Sequence, residues 1–422
     1  MTYKQATDFL FHRQQNGMKF GLETIRTLLE RIENPERKFA SIHIAGTNGK
    51  GSTAALLESI LRRSGCRTGL YTSPHLIDMR ERILVAGRRI GRADVVGILE
   101  HMKPHIEAID ASYFESLTAI AFEYFEMQKV LIAVIETGLG GRLDATNVVD
   151  PILTVITEIG HDHMNFLGNT LESITAEKAG ILKIGVPCIA GTKRKKVRGF
   201  LEDAAGSKSC PILFSRESVR VRRLLCTDEG SWFDAESGDS RYENLHLKLL
   251  GSHQIDNARM VLAAVDMLRR RGIAIPDRAV RDGFEKVVWR ARLELIRRDP
   301  LVLLDSGHNP AGIRTLARAI RTLFRYDRLI LVFGVLADKD YRRMLEAIAP
   351  LADRIILTRP HSERAADPES LARLRCLEGK DVSVMPEIPR AWTAALRSAR
   401  KRDLVCGTGS MYFVGEVLKL TK

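Results

Sequence analysis

The chain has 422 residues, of which 45% are apolar and 28% charged, and its formal net charge is +13. This composition predicts a globular protein of two or three domains and excludes a membrane-spanning chain, since no stretch approaches the roughly 20 apolar residues of a span. The polar start MTYKQATDF predicts no signal peptide, and six scattered cysteines without a C-x-x-C pair predict neither a zinc ribbon nor a disulfide framework. We therefore expect a cytoplasmic protein without membrane partners.

The positive charge has two open explanations, anionic small substrates and nucleic acid. The densest basic runs, Lys193 to Lys196 and Arg269 to Arg271, are not interleaved with aromatic residues, which make up only 6% of the chain. Stacking on single strands is therefore not indicated. Each run taken alone is typical of a solvated surface, so the charge permits polyanion binding without demonstrating it.

The first strong motif is HIAGTNGKGST, His43 to Thr53, which joins a strand-like run (39–45) to a helical one (54–63). It departs from the phosphate-loop pattern G-x-x-x-x-G-K-[ST], because Ile44 replaces the first glycine and Gly51 fills the hydroxyl position that normally holds magnesium. A structural glycine turn is the alternative. The lysine, two hydroxyls and flanking elements favour a nucleotide enzyme whose metal is held partly from elsewhere. The candidate phosphate-binding residues are Gly46, Thr47, Asn48, Gly49, Lys50, Gly51 and Ser52.

The next predicted strand, Val130 to Ile135, leads directly into Glu136. Because α/β sheets bind ligands at the carboxyl ends of their strands, a carboxylate here can hold magnesium on terminal phosphates. A lone glutamate at a strand end is usually a solvated terminus. The glycines of ETGLGGRLD, together with Arg142 and Asp144, favour a functional role instead.

A further buried strand leads into TEIGHDHMNFLGNT, Thr157 to Thr170, where His161, Asp162 and His163 are consecutive. Two imidazoles suggest zinc, but no cysteine or third nearby histidine completes a zinc set, so a harder cation linked to phosphate is favoured. Lys178 follows in a predicted helix. Taken alone, it is predicted to be an ordinary surface lysine.

A polar stretch near Arg297 to Pro300 separates two α/β regions. Upstream, alternating strands and helices predict a P-loop ATPase-type domain with a mostly parallel sheet, residues 1–296. Downstream, the strands Leu329 to Gly334 and Arg354 to Thr358 flank a helical pattern. They predict a smaller Rossmann-like α/β domain, residues 300–422.

In this order the motifs resemble the folylpolyglutamate synthase/dihydrofolate synthase family, a branch of the Mur-type ATP-dependent amide ligases. The resemblance spans nearly the whole chain. The motifs that carry it are GTNGKGST, TSPHL (Thr72 to Leu76), FESLT (Phe114 to Thr118), ETGLGGRLDATN, DH…LG (Asp162 to Gly168), EKAGI, WRARLE (Trp289 to Glu294), LDSGHNPAG and GTGSMYFVG (Gly407 to Gly415).

The resemblance implies ATP and two magnesium ions as cofactors. Ser73 occupies the place of the family's magnesium-binding hydroxyl, and it would supply the hydroxyl that the phosphate loop lacks at Gly51. Glu136 would bind the ion that bridges the phosphates, and His163 a second ion. Lys178 matches a lysine that the superfamily carries as a carbamate, and this implication replaces the surface role predicted from its residue type alone.

The resemblance also implies nucleotide and substrate contacts. In GSHQIDNA, Gln254 and Asn257 would meet the adenine base. Arg292 would reach the phosphates across the domain junction, and Asp305 and His308 would contact the nucleotide or the metal-bound phosphates. The candidates for contacting the pterin are Phe114, Glu115 and Thr118.

Two positions depart from the family's motifs. Ala291 replaces the usual glycine before Arg292, and Ser306-Gly307 replaces the usual Gly-Ala before His308. Both exchanges are between small residues, so we expect altered loop geometry without loss of activity.

The implied reaction is amide formation through an acyl phosphate, which the α-amine of L-glutamate attacks. The acceptor would be dihydropteroate, the γ-carboxylate of a reduced folate, or both. A single chain suffices for such a site, so we expect a monomer. The residues expected to act in catalysis are Lys50, Lys178, Arg292 and His308.

Two alternatives come from other classes. A cell-wall Mur ligase would carry a UDP-binding domain before the phosphate loop, and only 45 residues precede Gly46. A nucleic-acid-binding P-loop ATPase is suggested by the charge, but no motif favours it, so we expect no nucleic-acid partner.

Overall fold

A computed structural model describes residues 1–13 and 21–421 of the chain. The strands of its first sheet are β1 (Ala40–Ala45), β2 (Thr68–Tyr71), β3 (Ile83–Val85), β4 (Arg88–Arg89), β5 (Ile132–Glu136), β6 (Leu153–Ile156), β7 (Cys188–Ala190) and β8 (Ile212–Phe214). They lie in the order β4-β3-β2-β5-β1-β6-β7-β8. The six strands from β2 to β8 in this order pair in parallel, and β3 pairs antiparallel with both β2 and β4. The prediction of an α/β fold with a mostly parallel sheet is confirmed.

A small antiparallel sheet follows in the chain. Its strands are β9 (Val219–Thr227), β10 (Gly230–Ser237) and β11 (Ser240–Leu247). The helices of this first unit are α1 (Tyr3–His12), α2 (Glu23–Arg31), α3 (Lys50–Arg63), α4 (Arg92–Ala108), α5 (Tyr113–Met127), α6 (Met164–Leu167), α7 (Leu171–Ala179), α8 (Lys195–Gly206), α9 (Ser215–Ser218), α10 (His253–Arg270) and α11 (Asp277–Glu285). None of the helices in the described ranges is long and apolar enough to cross a membrane.

The second unit is a six-stranded sheet with helices. Its strands are β12 (Glu294–Arg298), β13 (Leu301–Leu304), β14 (Leu329–Phe333), β15 (Arg354–Leu357), β16 (Asp381–Val384) and β17 (Leu404–Thr408). Its helices are α12 (Pro310–Leu323), α13 (Tyr341–Ile348), α14 (Pro368–Ala372), α15 (Ile388–Ser398) and α16 (Met411–Leu420). The strands lie in the order β12-β13-β17-β14-β15-β16, and all pair in parallel except β12 with β13.

The domain boundary predicted between residues 296 and 300 needs correction. The antiparallel pairing of β12 with β13 places 294–298 in the second sheet. The polar stretch is therefore the turn of a hairpin and not a linker. Turns and linkers both expose their side chains to water, so their composition does not distinguish them. The first unit ends before Ala291, because the carbonyl oxygen of Ala291 accepts from the backbone N–H of Ser306 and the backbone N–H of Leu293 donates to Asp305, both in the loop after β13.

Helix α3 is held between the first sheet on one side and α10 and α11 on the other. Eleven of its fourteen residues are buried. Ser59 Oγ donates to the carbonyl oxygen of Gly283 at 3.0 Å, and Gly283 lies so close to Ile60 that a Cβ atom would collide with it. Because α3 is fixed on both sides, the loop before it is fixed as well.

Candidate active site between the two units

Loops from both units line one cavity of about 320 Å³. The first unit supplies the loops after β1, β5 and β6, and the second supplies the loop after β13 and the start of α12. The predicted site residues that line the cavity are Gly46, Thr47, Asn48, Gly49, Lys50, Gly51, Ser52, Ser73, Glu136, His163, Lys178, Gln254, Asn257, Arg292, Asp305 and His308. The strand order explains this meeting, since β1 lies between β5 and β6 and their carboxyl ends share one edge.

The phosphate loop is braced by the loop after β6. The backbone N–H groups of Thr47 and Asn48 donate to the carbonyl oxygen of Glu158 at 2.9 and 3.3 Å. These two N–H groups therefore hold the loop and do not face an anion. Helix α3 begins at Lys50. The backbone N–H groups of its first turn have no partner within the helix, and this end of the helix faces the cavity. An anion is best placed at this helix N-terminus.

The glycine in the usual hydroxyl position has a steric reason. A Cβ atom at Gly51 would lie 2.7 Å from Trp289 Cζ2, so no side chain fits there. The neighbouring Ser52 is buried, and its Oγ accepts from Gln254 Nε2 at 3.4 Å. Ser73 instead lines the cavity and donates its backbone N–H to Glu136 Oε2 at 3.3 Å.

Glu136 ends β5 with only 4% of its surface exposed. Its Oε1 lies 3.8 Å from Lys50 Nζ. Burial raises the pKa of this carboxyl, while the charge of Lys50 and the N–H of Ser73 act in the opposite direction. A buried carboxylate with so few partners is well suited to a cation held close to the phosphates.

Lys178 is buried, so the surface position predicted from its residue type is wrong. Its Nζ donates to the carbonyl oxygen of Gly46 at 2.8 Å. Burial, reinforced by the charge of Lys50, lowers the pKa of this amine to about 7. A substantial fraction of Lys178 is therefore neutral at physiological pH.

Asp162, in the first unit, contacts three residues of the second unit. Its carboxylate accepts from Asn309 Nδ2 at 3.0 Å and from Lys339 Nζ at 3.3 Å, and His308 Nε2 lies 3.6 Å away. Burial acts to raise the pKa of this carboxyl, but hydrogen bonding and charge from His308, with further charge from His163 and Lys339, hold it well below its usual range. The ionised Asp162 thus fixes loops of the second unit over the first.

His163 follows Asp162 with a left-handed backbone, φ +51°. Its side chain lines the cavity, and burial lowers the pKa of its imidazole to about 4. The ring is therefore neutral near pH 7 and can donate a lone pair to a metal ion.

Gln254 and Asn257 lie beneath the phosphate loop. Gln254 is fully buried, and its Oε1 accepts from Asn257 Nδ2 at 2.7 Å while its Nε2 faces Ser52. Asn257 Oδ1 lies 2.5 Å from where a Cβ atom of Gly49 would be, a position that has φ +92°. Both amides brace the loop, and both residues line the cavity, so their contact with adenine stays a prediction. The other cavity residues of α10 are His253, Asp256 and Met260.

The second unit presents Arg292, Asp305 and His308 to the cavity. Asp305 accepts from the backbone N–H groups of Leu293 and Gly307 at 3.0 and 2.8 Å, so it joins two loops. Burial raises the pKa of Asp305, and the charge of Arg292 opposes this rise.

The three pterin candidates are not among the residues that line the cavity. Glu115 accepts from the N–H of Ser112 at 2.8 Å in the N-terminal cap of α5. Thr118 Oγ1 donates to the carbonyl oxygen of Phe114 at 2.8 Å. Phe114 is half-buried against Gly138, which lines the cavity, so it is the one of the three that borders the site.

Four further residues are not among the predicted site residues. Asp162 and Asn309 stand inside recognised motifs, so those motifs could have indicated them. Lys339 offers no signal in the sequence, because its contact with Asp162 spans 177 positions. Arg82 is 8% exposed and donates through Nε to His75 Nδ1 at 2.9 Å. It has no ion pair with a carboxylate in the described ranges.

The cavity offers few side-chain ligands to a metal ion. Within the described ranges, no group of three His, Cys, Asp or Glu side chains could hold an ion. Any ion here must therefore take most of its ligands from phosphate oxygens and water. Mg²⁺ is bound in this way, through one or two protein oxygens plus substrate phosphates, and the pair of Glu136 and Ser73, both of which line the cavity, fits that pattern.

Comparison with known proteins identifies two family domains. Residues 44–265 match the Mur ligase middle domain, and residues 291–411 match the Mur ligase glutamate ligase domain. The dihydrofolate synthase/folylpolyglutamate synthase of Bacillus subtilis is 36% identical over 428 residues, which cover 100% of this chain and 99% of that protein. The Escherichia coli protein of the same name is 31% identical and covers 98% and 94% of the two chains.

Solved structures agree in fold over almost the whole length. Mycobacterium tuberculosis folylpolyglutamate synthase complexed with ADP has a TM-score of 0.92 at 32% identity and covers 99% of this chain and 98% of its own. E. coli FolC in complex with DHPP and ADP has a TM-score of 0.90 at 29% identity and covers 98% and 97%. The chain therefore belongs to the dihydrofolate synthase/folylpolyglutamate synthase family of Mur ligases.

Proposed function

We propose that this protein is an ATP-dependent amide-forming ligase that adds L-glutamate to dihydropteroate, to the γ-carboxylate of a reduced folate, or to both. One observation carries the proposal. The N-terminus of α3, Lys50, Glu136 and Arg292 converge on one cavity in a chain that aligns end to end with dihydrofolate synthase/folylpolyglutamate synthases. Relatives have been solved with DHPP and ADP, and with Mn, AMPPNP and L-glutamate.

The first step activates the acceptor. A carboxylate is a poor electrophile, so one of its oxygens attacks the γ-phosphorus of ATP, a new P–O bond forms, and the bond to the β-phosphate oxygen breaks to release ADP. Lys50 from the first unit and Arg292 from the second stabilise the charge that spreads over the transferred group. Because these two cations come from different units, the step requires the units to be closed over the nucleotide.

Magnesium would be held by Ser73 and Glu136, and a second ion by His163. When bound, the ions supply charge neutralisation on the phosphates. The Ser73 backbone N–H that donates to Glu136 orients this carboxylate.

Lys178 would act as a carbamate. The ammonium group first loses one proton, the neutral amine then forms an N–C bond to carbon dioxide, and a second proton is released, so that a carbamate anion replaces a cation beside the phosphate loop. The pKa of about 7 for Lys178 supports this assignment, since only a neutral amine reacts. The exchange would also replace the repulsion between Lys178 and Lys50 by attraction.

The second step forms the amide. The α-amine of L-glutamate attacks the acyl carbon, a C–N bond forms, the C–O bond to phosphate breaks, and the amine proton is released. Arg82 is a candidate to bind a carboxylate of the incoming glutamate. Its buried guanidinium donates to His75 and lies 5.4 Å from the centroid of the Tyr113 ring, and it forms no ion pair with a carboxylate in the described ranges, so it could accommodate an anionic ligand.

The test is phosphate release from Mg-ATP and L-glutamate with dihydropteroate, tetrahydrofolate or a UDP-muramyl peptide supplied separately. Turnover with both pterins assigns both activities, and turnover with one assigns that activity alone. Release with the UDP-peptide only would overturn the proposal in favour of a cell-wall ligase. DNA-stimulated hydrolysis without any acceptor would overturn it in favour of a nucleic-acid ATPase. Every residue of the proposed site lies in one chain, so we expect the active species to be a monomer.

A further inference from the structure

A single side chain connects the two loops that bring the second unit to the cavity. Ser306 is fully buried. Its Oγ donates to the carbonyl oxygen of Ala291 at 2.9 Å and accepts from Arg292 Nη1 at 2.5 Å. Because a hydroxyl has one proton, donation to Ala291 leaves its lone pairs facing the guanidinium.

Ala291 has a backbone conformation that alanine rarely adopts, with φ +57°. Its carbonyl oxygen accepts from both the hydroxyl and the backbone N–H of Ser306, each at 2.9 Å. Its own N–H donates to Glu294 Oε2 at 2.7 Å. These contacts stabilise the left-handed turn immediately before Arg292. The conformation of this turn sets the position of the Arg292 backbone and thus the direction in which its side chain leaves it. The two departures from the family's motifs therefore contact each other.

The partner of Arg292 is neutral. No carboxylate in the described ranges forms an ion pair with this guanidinium, although Asp305 and Glu136 lie near enough to feel its charge. A serine tether orients an arginine without neutralising it, whereas an aspartate would offset the charge that an anionic ligand needs. One of the five N–H donors is used, and the others remain for phosphate oxygens.

We propose that Ser306 is a positioning residue for Arg292, which it holds toward the phosphates of ATP while it stabilises the turn at Ala291. The proposal rests on the proposed function for its substrate. It does not depend on which acceptor the enzyme uses, because both acceptors require the same phosphoryl transfer.

The experiment compares Ser306→Ala, Arg292→Ala and the double variant. kcat and KM for ATP are measured with the preferred acceptor, together with the Kd of a non-hydrolysable ATP analogue in Mg²⁺. We expect Ser306→Ala to lower kcat/KM for ATP roughly tenfold, as the loss of one charge-assisted hydrogen bond predicts. In the Arg292→Ala background, Ser306→Ala should lower kcat/KM for ATP by less than about twofold, because Ser306 acts through Arg292.

Ser383 supplies the matched control. Its Oγ accepts from Arg354 Nη2 at 3.4 Å on the far strands of the same unit. Ser383→Ala should leave kcat, KM and analogue affinity unchanged. Ser306→Cys keeps the side-chain volume and weakens the acceptor, so it replaces the alanine variant if that variant fails to fold.

Two results would overturn the proposal. One is an equal loss from Ser306→Ala with and without Arg292. The other is a lower melting temperature with unchanged kinetics, which means that the serine only stabilises the fold. If the wild type turns over no pterin acceptor, the proposed function fails instead. The analogue affinities still test Ser306 in that case, since Ser306→Ala should weaken binding only when Arg292 is present.

Discussion

Lys178 and Lys50 both face the phosphate end of the cavity, and one of the two amines is buried against a backbone carbonyl group. In the folded protein this arrangement disfavours the charged form of Lys178, by on the order of 5 kcal/mol for a pKa shift from 10.5 to about 7. Because the charged form is destabilised, a reaction that removes the charge of this amine is favoured. The proposed carbamylation would do so and would add an oxygen ligand for magnesium.

We expect Lys178→Ala to lower kcat at least a hundredfold, because the phosphate loop would lose a negative group beside Lys50. Added acetate should restore part of the activity by occupying the vacated space. The direct measurement is carbon-13 NMR after incubation with labelled bicarbonate, in which the wild type should show a carbamate signal that Lys178→Ala lacks. Lys183→Ala is the control, since Lys183 is half-buried and donates to the carbonyl oxygen of Asn147 away from the cavity lining. A signal that disappears in the control instead would refute the assignment.

The same amine makes stability depend on pH. The pKa of Lys178 is about 7 in the folded protein and close to 10.4 when unfolded, so between these values the unfolded chain binds one more proton. The contribution of Lys178 to the free energy of unfolding therefore rises as the pH increases from about 7 to 10. In buffers freed of carbon dioxide, Lys178→Met should flatten the rise in unfolding free energy across this window. Parallel curves for the two proteins would show that the folded amine titrates normally.

The burial of Lys178 could not be predicted from its residue type. The residue lies on α7, and only the packing of that helix under the loop after β1 places its amine at Gly46. Gln254 and Asn257 show a second limit of prediction from sequence. Their motif was recognised, but their amides bond to each other and to the phosphate loop, and pairing of this kind becomes visible only in three dimensions.

At the scale of elements, α3 shows how a helix can adapt a phosphate loop to its neighbours. The sequence correctly predicted a strand, a loop and a helix from the glycine and lysine spacing. It could not explain the glycine at position 51, because the reason lies in Trp289, far along the chain. The hydroxyl for magnesium has to come from another loop as a result, and Ser73 lines the same cavity.

Restoring the usual motif should therefore damage the protein. We expect Gly51→Ser to lower the free energy of unfolding by about 1–3 kcal/mol, since its Cβ would press on Trp289. It should also weaken the binding of an ATP analogue at least tenfold. Chemical denaturation and calorimetry measure the two effects. Gly97→Ala is the control in α4, where a Cβ atom meets nothing within 4 Å, and it should stabilise the protein by about 0.5–1 kcal/mol. A Gly51→Ser protein with wild-type stability and affinity would contradict the steric explanation.

At the scale of the whole molecule, Asp162 connects the units through Asn309 and Lys339. Asn309 Nδ2 also donates to Asn48 Oδ1 at 3.1 Å, so the same amide reaches the phosphate loop. Around Asp162 the units thus meet through polar contacts that water can replace, which suits units that must open to exchange substrates.

We expect Asp162→Asn to loosen this closure, because the amide cannot pair with Lys339. Hydrogen exchange should become faster in residues 305–340, and kcat should fall roughly tenfold through the less frequent closed state. Asp338→Asn is the control, since it breaks a 2.7 Å pair with Arg364 inside one unit. Equal exchange in both variants would show that Asp162 does not hold the units together.

The sequence predicted the fold class and the presence of two units, because strand and helix periodicity is local. The boundary near 296 was wrong, since a solvent-exposed hairpin turn and a linker have the same polar composition. The pterin candidates stay a prediction, because local sequence does not decide between two roles for a buried carboxylate. Glu115 is typical of a binding carboxylate and equally typical of a helix cap, and its bond to Ser112 belongs to the cap.

Trp289 gives the protein an internal optical reporter. The chain has three tryptophans. Trp232 stacks on His246 in the small sheet, and Trp392 is buried among the helices of the second unit. Trp289 alone lies against the phosphate loop at Gly51, three positions before Arg292. Its indole emission should therefore change when nucleotide fills the cavity, so that binding and closure can be followed by stopped-flow fluorescence without a label.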